Sequence, residues 1–160
     1  MFGTYGAVLL SFVFVIVSAG FDKETCTSYE MADIDCCLNE YPGKKIILTD
    51  DMAECFSKEK SPCEQELCRA KHWGLTGDDD KLDRSKVLEV MYERITYDPS
   101  LLEEVKSKCI NGDIKTYGSA DACESERVNR CIVTQWLKRC TKWNDNSTCQ
   151  QFKEFFVKEC

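Results

Sequence analysis

The residues that could do the widest range of chemistry in this 160-residue chain are its twelve cysteines. An even count lets every thiol pair in a disulfide, although twelve cysteines allow roughly ten thousand connectivities. Because Cys36 and Cys37 are adjacent, their side chains leave the backbone in different directions, and we expect them to bridge to two different elements. All twelve are predicted to be oxidised: Cys26, Cys36, Cys37, Cys55, Cys63, Cys68, Cys109, Cys123, Cys131, Cys140, Cys149 and Cys160.

Catalytic and metal chemistry have little support. His72 is the only histidine, and Trp73 follows it where a secreted phospholipase would have aspartate. The sequence contains no Gly-x-Ser-x-Gly motif, which would place a serine nucleophile on a turn. It also contains no Cys-x2-Cys pair of the kind that binds zinc. A calcium loop starting at Asp78 would need an oxygen ligand and a glycine where Leu82 and Asp83 stand. We predict a protein that is not an enzyme and has no cofactor, with His72 at a helix end and residues 78–80 in a solvated turn.

The first twenty residues resemble a secretion signal. The apolar run Ala7–Val17 precedes the small residues 18–20, where a cleavage site is plausible. A membrane-spanning helix needs about twenty apolar residues, and no segment reaches that length. We therefore predict a signal peptide at 1–20 and a secreted domain at 21–160, without stable membrane association. In a secreted chain, Asn146-Ser147-Thr148 is a glycosylation acceptor that requires an exposed Asn146.

The charge argues against nucleic acid and anionic lipid as partners, and the apolar content bears on how the core is stabilised. The formal net charge is −7, with no cluster of lysine and arginine of the kind that binds nucleic acid or anionic lipid. Apart from cysteine, apolar residues are a modest supply for a core of this size. We expect the disulfides to supplement that core.

Helix signals dominate the mature chain. Ser61-Pro62-Cys63-Glu64 reads as a capping box, and Asp98-Pro99 reads as the start of another helix. Helices are predicted at about 62–74, 83–96, 99–110, 120–139 and 147–160, with a short one at 50–58. The only β-like run is 46–48. The expected fold is a single compact all-α domain of about six helices, joined by disulfides.

Several apolar side chains fall on inward faces of these helices. Bridged helices could enclose a cavity lined by such groups, or the groups could simply fill the core. Tyr92 is also placed on the inward face of its helix. The residues predicted to line an apolar cavity are Val87, Leu88, Met91, Trp136 and Phe152.

Cysteine spacing carries the strongest resemblance. Cys63 and Cys68 share a helix, forty residues separate Cys68 from Cys109, and eight separate Cys131 from Cys140. The passage 68–82 and the doublet at 36–37, followed by a proline, add to the pattern. The chain resembles the insect odorant-binding protein family, specifically its cysteine-rich C-plus branch, and the extra cysteines at positions 26, 55, 123, 149 and 160 fit that branch.

The resemblance implies a pairing and a function. Three bridges would join Cys36 or Cys37 to Cys68, Cys63 to Cys131, and Cys109 to Cys140. The family carries small hydrophobic molecules such as odorants and pheromones through aqueous lymph toward membrane receptors. The expected partners are therefore a small hydrophobic ligand and a chemosensory receptor, and the chain is expected to be a monomer or a weak homodimer. The alternative is a salivary, venom or reproductive-fluid protein that binds a protein partner and has no ligand cavity.

Overall fold

Five α-helices form the described part of the chain. The computed structural model describes residues 34–39, 53–57 and 59–160. The helices are α1 (Pro62–His72), α2 (Arg84–Arg94), α3 (Pro99–Glu104), α4 (Glu124–Leu137) and α5 (Ser147–Glu159). α3 continues as a π-helical segment, Val105–Ile110, and a 3-10 turn covers Glu54–Phe56. These residues contain no β-strand, so the predicted all-α class is confirmed.

Some predictions lie outside the described residues. They are the signal peptide, Cys26 and the β-like run 46–48. Of the predicted short helix at 50–58, the described part contains the 3-10 turn, which buries Cys55.

Helix starts follow the local sequence. The amide of Glu64 donates to Ser61 Oγ at 3.3 Å, and the amide of Ser61 donates to Glu64 Oε2 at 2.7 Å, which completes the predicted capping box. Asp98 accepts from the amide of Leu101 at 2.9 Å, and Asn146 caps α5 in the same way. These side chains satisfy amides that have no partner inside the helix.

The fourth helix begins later than predicted, at Glu124 instead of just after Ser119. The cause is Arg127, whose guanidinium donates to main-chain carbonyls of the preceding segment. Two of these acceptors are Ala122 and Ser119, both at 2.8 Å. The Ser119 carbonyl also accepts from the Ala122 amide at 3.1 Å, and the Cys123 amide donates to Cys63 Sγ instead of to a helical i–4 carbonyl, so this segment is a loop.

α4 is the central helix. All seven residues from 131 to 137 are buried, which means that two turns are covered on every side. α1, α3 and the π-helical segment pack against it. On α2, the buried stripe runs through Val87, Met91 and Ile95 at the i+4 spacing of one helix face. Tyr92 is one position away from that stripe and 43% exposed, so its predicted inward orientation is wrong.

Five disulfides have both cysteines described. Three of them, here called the inner frame, use six consecutive cysteines of the chain: Cys55–Cys68, Cys63–Cys123 and Cys109–Cys131. The other two, here called the outer clamp, are Cys36–Cys149 and Cys37–Cys140. Cys160 is also disulfide-bonded. The prediction that Cys36 and Cys37 bridge to different elements is confirmed.

The three pairings implied by the family resemblance are wrong. Cys68 pairs with Cys55 instead of Cys36 or Cys37, Cys63 with Cys123 instead of Cys131, and Cys109 with Cys131 instead of Cys140. The start of α1 lies beside the start of α4, whereas Cys131 is eight residues further along, about 12 Å at 1.5 Å per residue. Cys131 instead meets Cys109 of the π-helical segment, in the core.

The order of pairing nevertheless matches the implied order. The resemblance joins the first cysteine of a six-cysteine frame to the third, the second to the fifth and the fourth to the sixth. The inner frame has this same order, with Cys55 in first place and with Cys123 and Cys131 in fifth and sixth. The agreement concerns the order alone, because the six cysteines of the inner frame are not the six that the resemblance implies.

Candidate functional site

The residues predicted to line a cavity lie in one apolar core. Val87, Met91, Trp136 and Phe152 are buried in a contiguous cluster, and Leu88 is half-buried and packs against it. They come from α2, α4 and α5, and the fold brings all of them into this one cluster. Their role as ligand contacts stays a prediction, since a core and a dry cavity wall use the same side chains.

Aromatic rings cover the α5 side of this core. The Phe152 ring lies 6.1 Å from that of Trp143 in an edge-on arrangement and 5.5 Å from that of Phe156. These centroid distances fall within the favourable range for aromatic pairs. Trp143 also donates from Nε1 to the carbonyl of Cys140 at 3.1 Å, which ties the ring to the outer clamp.

A cleft of about 290 Å³ opens elsewhere on the surface, between the start of α1, the loop 76–82 and the start of α4. That volume is near the lower limit for small-molecule sites. None of the five predicted lining residues borders it. Its walls are formed by Cys63, Glu64, Leu67, Asp80, Lys81, Leu82, Cys123, Glu124 and Ser125.

The loop that forms one wall is a tight turn. The amide of Gly77 donates to the carbonyl of Lys81 at 2.9 Å, and Thr76 and Leu82 form an isolated bridge. Asp80 adopts a positive φ of 61° at the tip, a conformation that aspartate tolerates better than most residues. Residues 78–80 are exposed, as predicted for a solvated turn. Lys71 of α1 forms an ion pair with Asp80 at 3.0 Å and holds the turn over α1.

The Cys63–Cys123 bridge forms another part of the cleft wall. The amide of Cys123 donates to Cys63 Sγ at 3.0 Å, and Ser125 Oγ lies 3.3 Å from Cys123 Sγ. Buried Glu126 places Oε2 3.6 Å from Cys63 Sγ and pairs with Arg130 at 2.9 Å. The two sulfurs and the Glu126 carboxylate lie within 4.8 Å of one another. The sulfurs are bonded to each other, so they cannot act as thiolate ligands of a metal.

Several charged side chains around the cleft are hydrogen-bonded or paired. Hydrogen bonds from the Ser61 amide and hydroxyl lower the pKa of Glu64 below its usual value. Glu124 accepts from Arg84 at 2.8 Å, and Arg84 also donates to the carbonyl of Ile110 at 2.9 Å. Arg84 thus joins the start of α2, the π-helical segment and the start of α4. The arrangement offers an apolar patch with a charged rim.

A polar network lies against the central helix. Gln135 is fully buried; it accepts from Lys108 Nζ at 3.3 Å and donates to the Tyr117 hydroxyl at 3.2 Å. Burial raises the pKa of Tyr117, since the phenolate would lose hydration. Both ends of the Gln135 amide are therefore satisfied, which fixes its orientation.

Two other predicted positions behave as expected. His72 is exposed at the end of α1. Asn146 is exposed, and its Oδ1 accepts from the amide of Cys149 at 2.8 Å. The exposure meets the requirement for glycosylation, which stays a prediction.

The sequence reasoning missed most of the cleft. Three of its wall residues, Leu82, Lys81 and Glu124, carry no periodic signal in the sequence. One usable sign was Leu82 itself, a single large apolar residue between charged neighbours in a turn. Such a residue needs a partner to cover it, and here the partners are the start of α1 and the bridge.

No protein-family model, curated protein or solved structure matches the chain. Several disulfides are typical of proteins that fold in an oxidising, extracellular compartment, which is consistent with an extracellular location. Among the described residues, no helix has both the length and the apolar character that a membrane crossing requires.

Proposed function

We propose that the protein is a secreted, non-catalytic carrier of small hydrophobic molecules, similar in role to the odorant-binding proteins. The observation that supports this most directly is the inner frame, whose interlocked order is the one implied by the family resemblance. An all-α set of bridged helices around Val87, Met91 and Trp136 adds to it. Burial of ligand surface would drive binding at roughly 25 cal/mol per Å², less ordering costs.

A second candidate is a secreted protein that binds a protein partner and has a filled core. The tight burial of the predicted lining residues favours this candidate, because Phe152 and Trp136 are 0% and 4% exposed within one contiguous cluster. Exposed apolar side chains would then supply part of the contact surface. Tyr97 and Val157, 58% and 70% exposed, are examples.

Displacement of an apolar fluorescent probe from the oxidised protein, without residues 1–20, separates the two candidates. A carrier should show one saturable site and displacement by several small hydrophobes at roughly micromolar concentration. Absence of saturable binding, with all disulfides intact by mass spectrometry, would contradict the carrier function.

Variants then locate the site. Trp136→Ala should weaken probe binding at least fivefold if the ligand lies among the predicted residues, whereas Leu67→Ser and Leu82→Ser should do so if it lies in the cleft. Val157→Ala, on the exposed side of α5, is the matched control and should leave the affinity unchanged. Circular dichroism must show that each variant keeps its helices.

A further inference from the structure

The Cys63–Cys123 bridge differs from the other disulfides in its exposure. Of the five bridges with both cysteines described, it is the only one in which neither cysteine is buried. It also borders the cleft, and neither of its sulfurs belongs to the contiguous apolar core. A small molecule in the cleft can therefore reach this bridge without unfolding of the protein.

Both cysteines also lie at the starts of long helices. Cys63 is the second residue of α1, and Cys123 immediately precedes α4. Helix N-termini carry partial positive charge and lower the pKa of a cysteine thiol. The Cys123 amide on Cys63 Sγ and the Ser125 hydroxyl beside Cys123 Sγ add hydrogen bonds that a thiolate would accept. A disulfide whose reduced form is stabilised in this way is more easily reduced.

Glu126 acts in the opposite direction. Glu126 is only 7% exposed and its carboxylate lies 3.6 Å from Cys63 Sγ, so its charge disfavours a thiolate there. Arg130, paired with the same carboxylate at 2.9 Å, offsets part of this effect. Glu126 therefore restrains the reactivity that the helix N-termini promote.

We propose that Cys63–Cys123 is a thiol–disulfide exchange site for low-molecular-weight thiols that enter the cleft. The thiolate of the small molecule attacks one sulfur, a mixed disulfide forms, and the other cysteine leaves as a thiolate that takes a proton from water. A second small thiol attacks the mixed disulfide, which leaves both cysteines as thiols and the small molecule as its own disulfide. The proposal is independent of the carrier function, because it concerns the bridge and not a bound hydrophobe.

The test is timed reduction of the folded, oxidised protein by 2-mercaptoethanol, an uncharged probe that the charged rim does not select. Samples are quenched in acid and alkylated, and the labelled cysteines are mapped by peptide mass spectrometry. Cys63 and Cys123 should be labelled about tenfold faster than any other cysteine. Earlier labelling of Cys68 or Cys140, each half-buried, would overturn the proposal, as would parallel labelling of all bridges at the rate of global unfolding.

Two substitutions test the local chemistry. Glu126→Gln should speed reduction of this bridge about threefold by lowering the pKa of the leaving thiol, and Ser125→Ala should slow it. Glu154→Gln is the matched control, because it makes the same charge change at an exposed position of α5 that does not line the cleft, and it should leave the rate unchanged. Reduction of the other four bridges with both cysteines described must keep its rate in Glu126→Gln, since a general increase would mean destabilisation and would contradict the assigned role. If Glu126→Gln does not fold, the slower reduction expected for Ser125→Ala still tests the proposal.

Discussion

The inner frame and the outer clamp connect different kinds of structure. The inner frame joins α1 to the 3-10 turn and to the start of α4, and joins α4 to the π-helical segment, across separations of 13, 60 and 22 residues. The outer clamp joins Cys36 to Cys149 in the first turn of α5 and Cys37 to Cys140 in the loop before α5, across separations of 113 and 103 residues. Its partners run antiparallel: Leu38 donates to the carbonyl of Lys142 at 2.7 Å, and Asn144 to that of Cys36 at 2.8 Å. The clamp therefore lies where residues 36–38 pair with residues 142–144.

The difference has an energetic consequence. At one end of the clamp the cysteines are neighbours, and at the other Cys140 and Cys149 are nine positions apart. When one bridge of the clamp is present, the second closes only the short ring between Cys140 and Cys149. When both bridges are absent, the chain is no longer held in the long ring of more than 100 residues. Loop-closure entropy grows with the logarithm of ring length, so the two bridges are expected to be strongly non-additive.

The largest expected effect therefore comes from removing the whole clamp. The pairs Cys36→Ala/Cys149→Ala and Cys37→Ala/Cys140→Ala should each cost about 3 kcal/mol of the free energy of unfolding, by the chain-entropy relation. All four substitutions together should cost about 1–2 kcal/mol more than the sum of the two pairs. Guanidinium denaturation without reductant measures all three. Additive losses would show that the two bridges act independently, which would contradict the expected non-additivity of the outer clamp.

The next effect concerns the packing beneath the clamp. Phe152→Ala removes a fully buried ring that contacts Trp143, and should cost about 3–5 kcal/mol. Hydrogen exchange should rise at the amides of Leu38 and Asn144, whose bonds belong to the clamp, but not at the amide of Leu75 beside α1. Phe155→Ala, on a half-buried neighbour, is the control and should cost clearly less. Equal rises at all three amides would mean that the two regions open together.

The helices were predictable from sequence because their signals are local. Ser61 and Asp98 each accept from an amide three positions ahead, so these helix starts can be predicted from residues that are close in sequence. The late start of α4 was not predictable in this way. It depends on Arg127 reaching back to Ala122 and Ser119, which competes with the helix for the same carbonyls.

The bridges and the cleft depend on which helix ends meet in space. The sequence placed Cys63 at a helix start, but whether it meets Cys123 or Cys131 is decided by the packing of α1 on α4. A shift of two helical turns separates the two answers, and spacing alone does not detect it. The cleft was missed for the same reason, because Leu82 becomes a wall only when its turn folds over α1.

Helix caps should give smaller effects of similar size in both regions. Ser61→Ala removes the cap of α1, which carries two cysteines of the inner frame, and Asn146→Ala removes the cap of α5, which carries Cys149 of the clamp. Each substitution removes one side-chain acceptor and should cost about 1 kcal/mol of the free energy of unfolding. Thermal or denaturant unfolding of protein made without glycosylation measures both. Ser147→Ala, an exposed neighbour in the first turn of α5, is the control. A cost for Asn146→Ala above about 2 kcal/mol would mean that the cap also supports the clamp.

The smallest effect lies at the border between the two regions. Asp98 caps α3 and pairs with Arg139 at 3.0 Å, one residue before Cys140 of the clamp. Hydrogen bonds from the Leu101 amide and the Ser100 hydroxyl, together with Arg139, lower the pKa of Asp98 in the folded state. An unfolded aspartate titrates near about 3.9, so the ionised group stabilises the fold above that pH, and this contribution is lost as the pH falls through the folded-state pKa.

Asp98→Asn keeps an oxygen that can cap α3 but removes the charge that pairs with Arg139. The wild type should therefore be more stable than Asp98→Asn at pH 7 by less than about 1 kcal/mol, as expected for a partly exposed ion pair. The difference should shrink below about pH 4 as Asp98 becomes protonated in the wild type. Urea denaturation at a series of pH values measures it, with Asp113→Asn as a control in an exposed loop. A difference independent of pH would show that only the cap matters, and that the charged contact at the border does not help to hold the clamp to the frame.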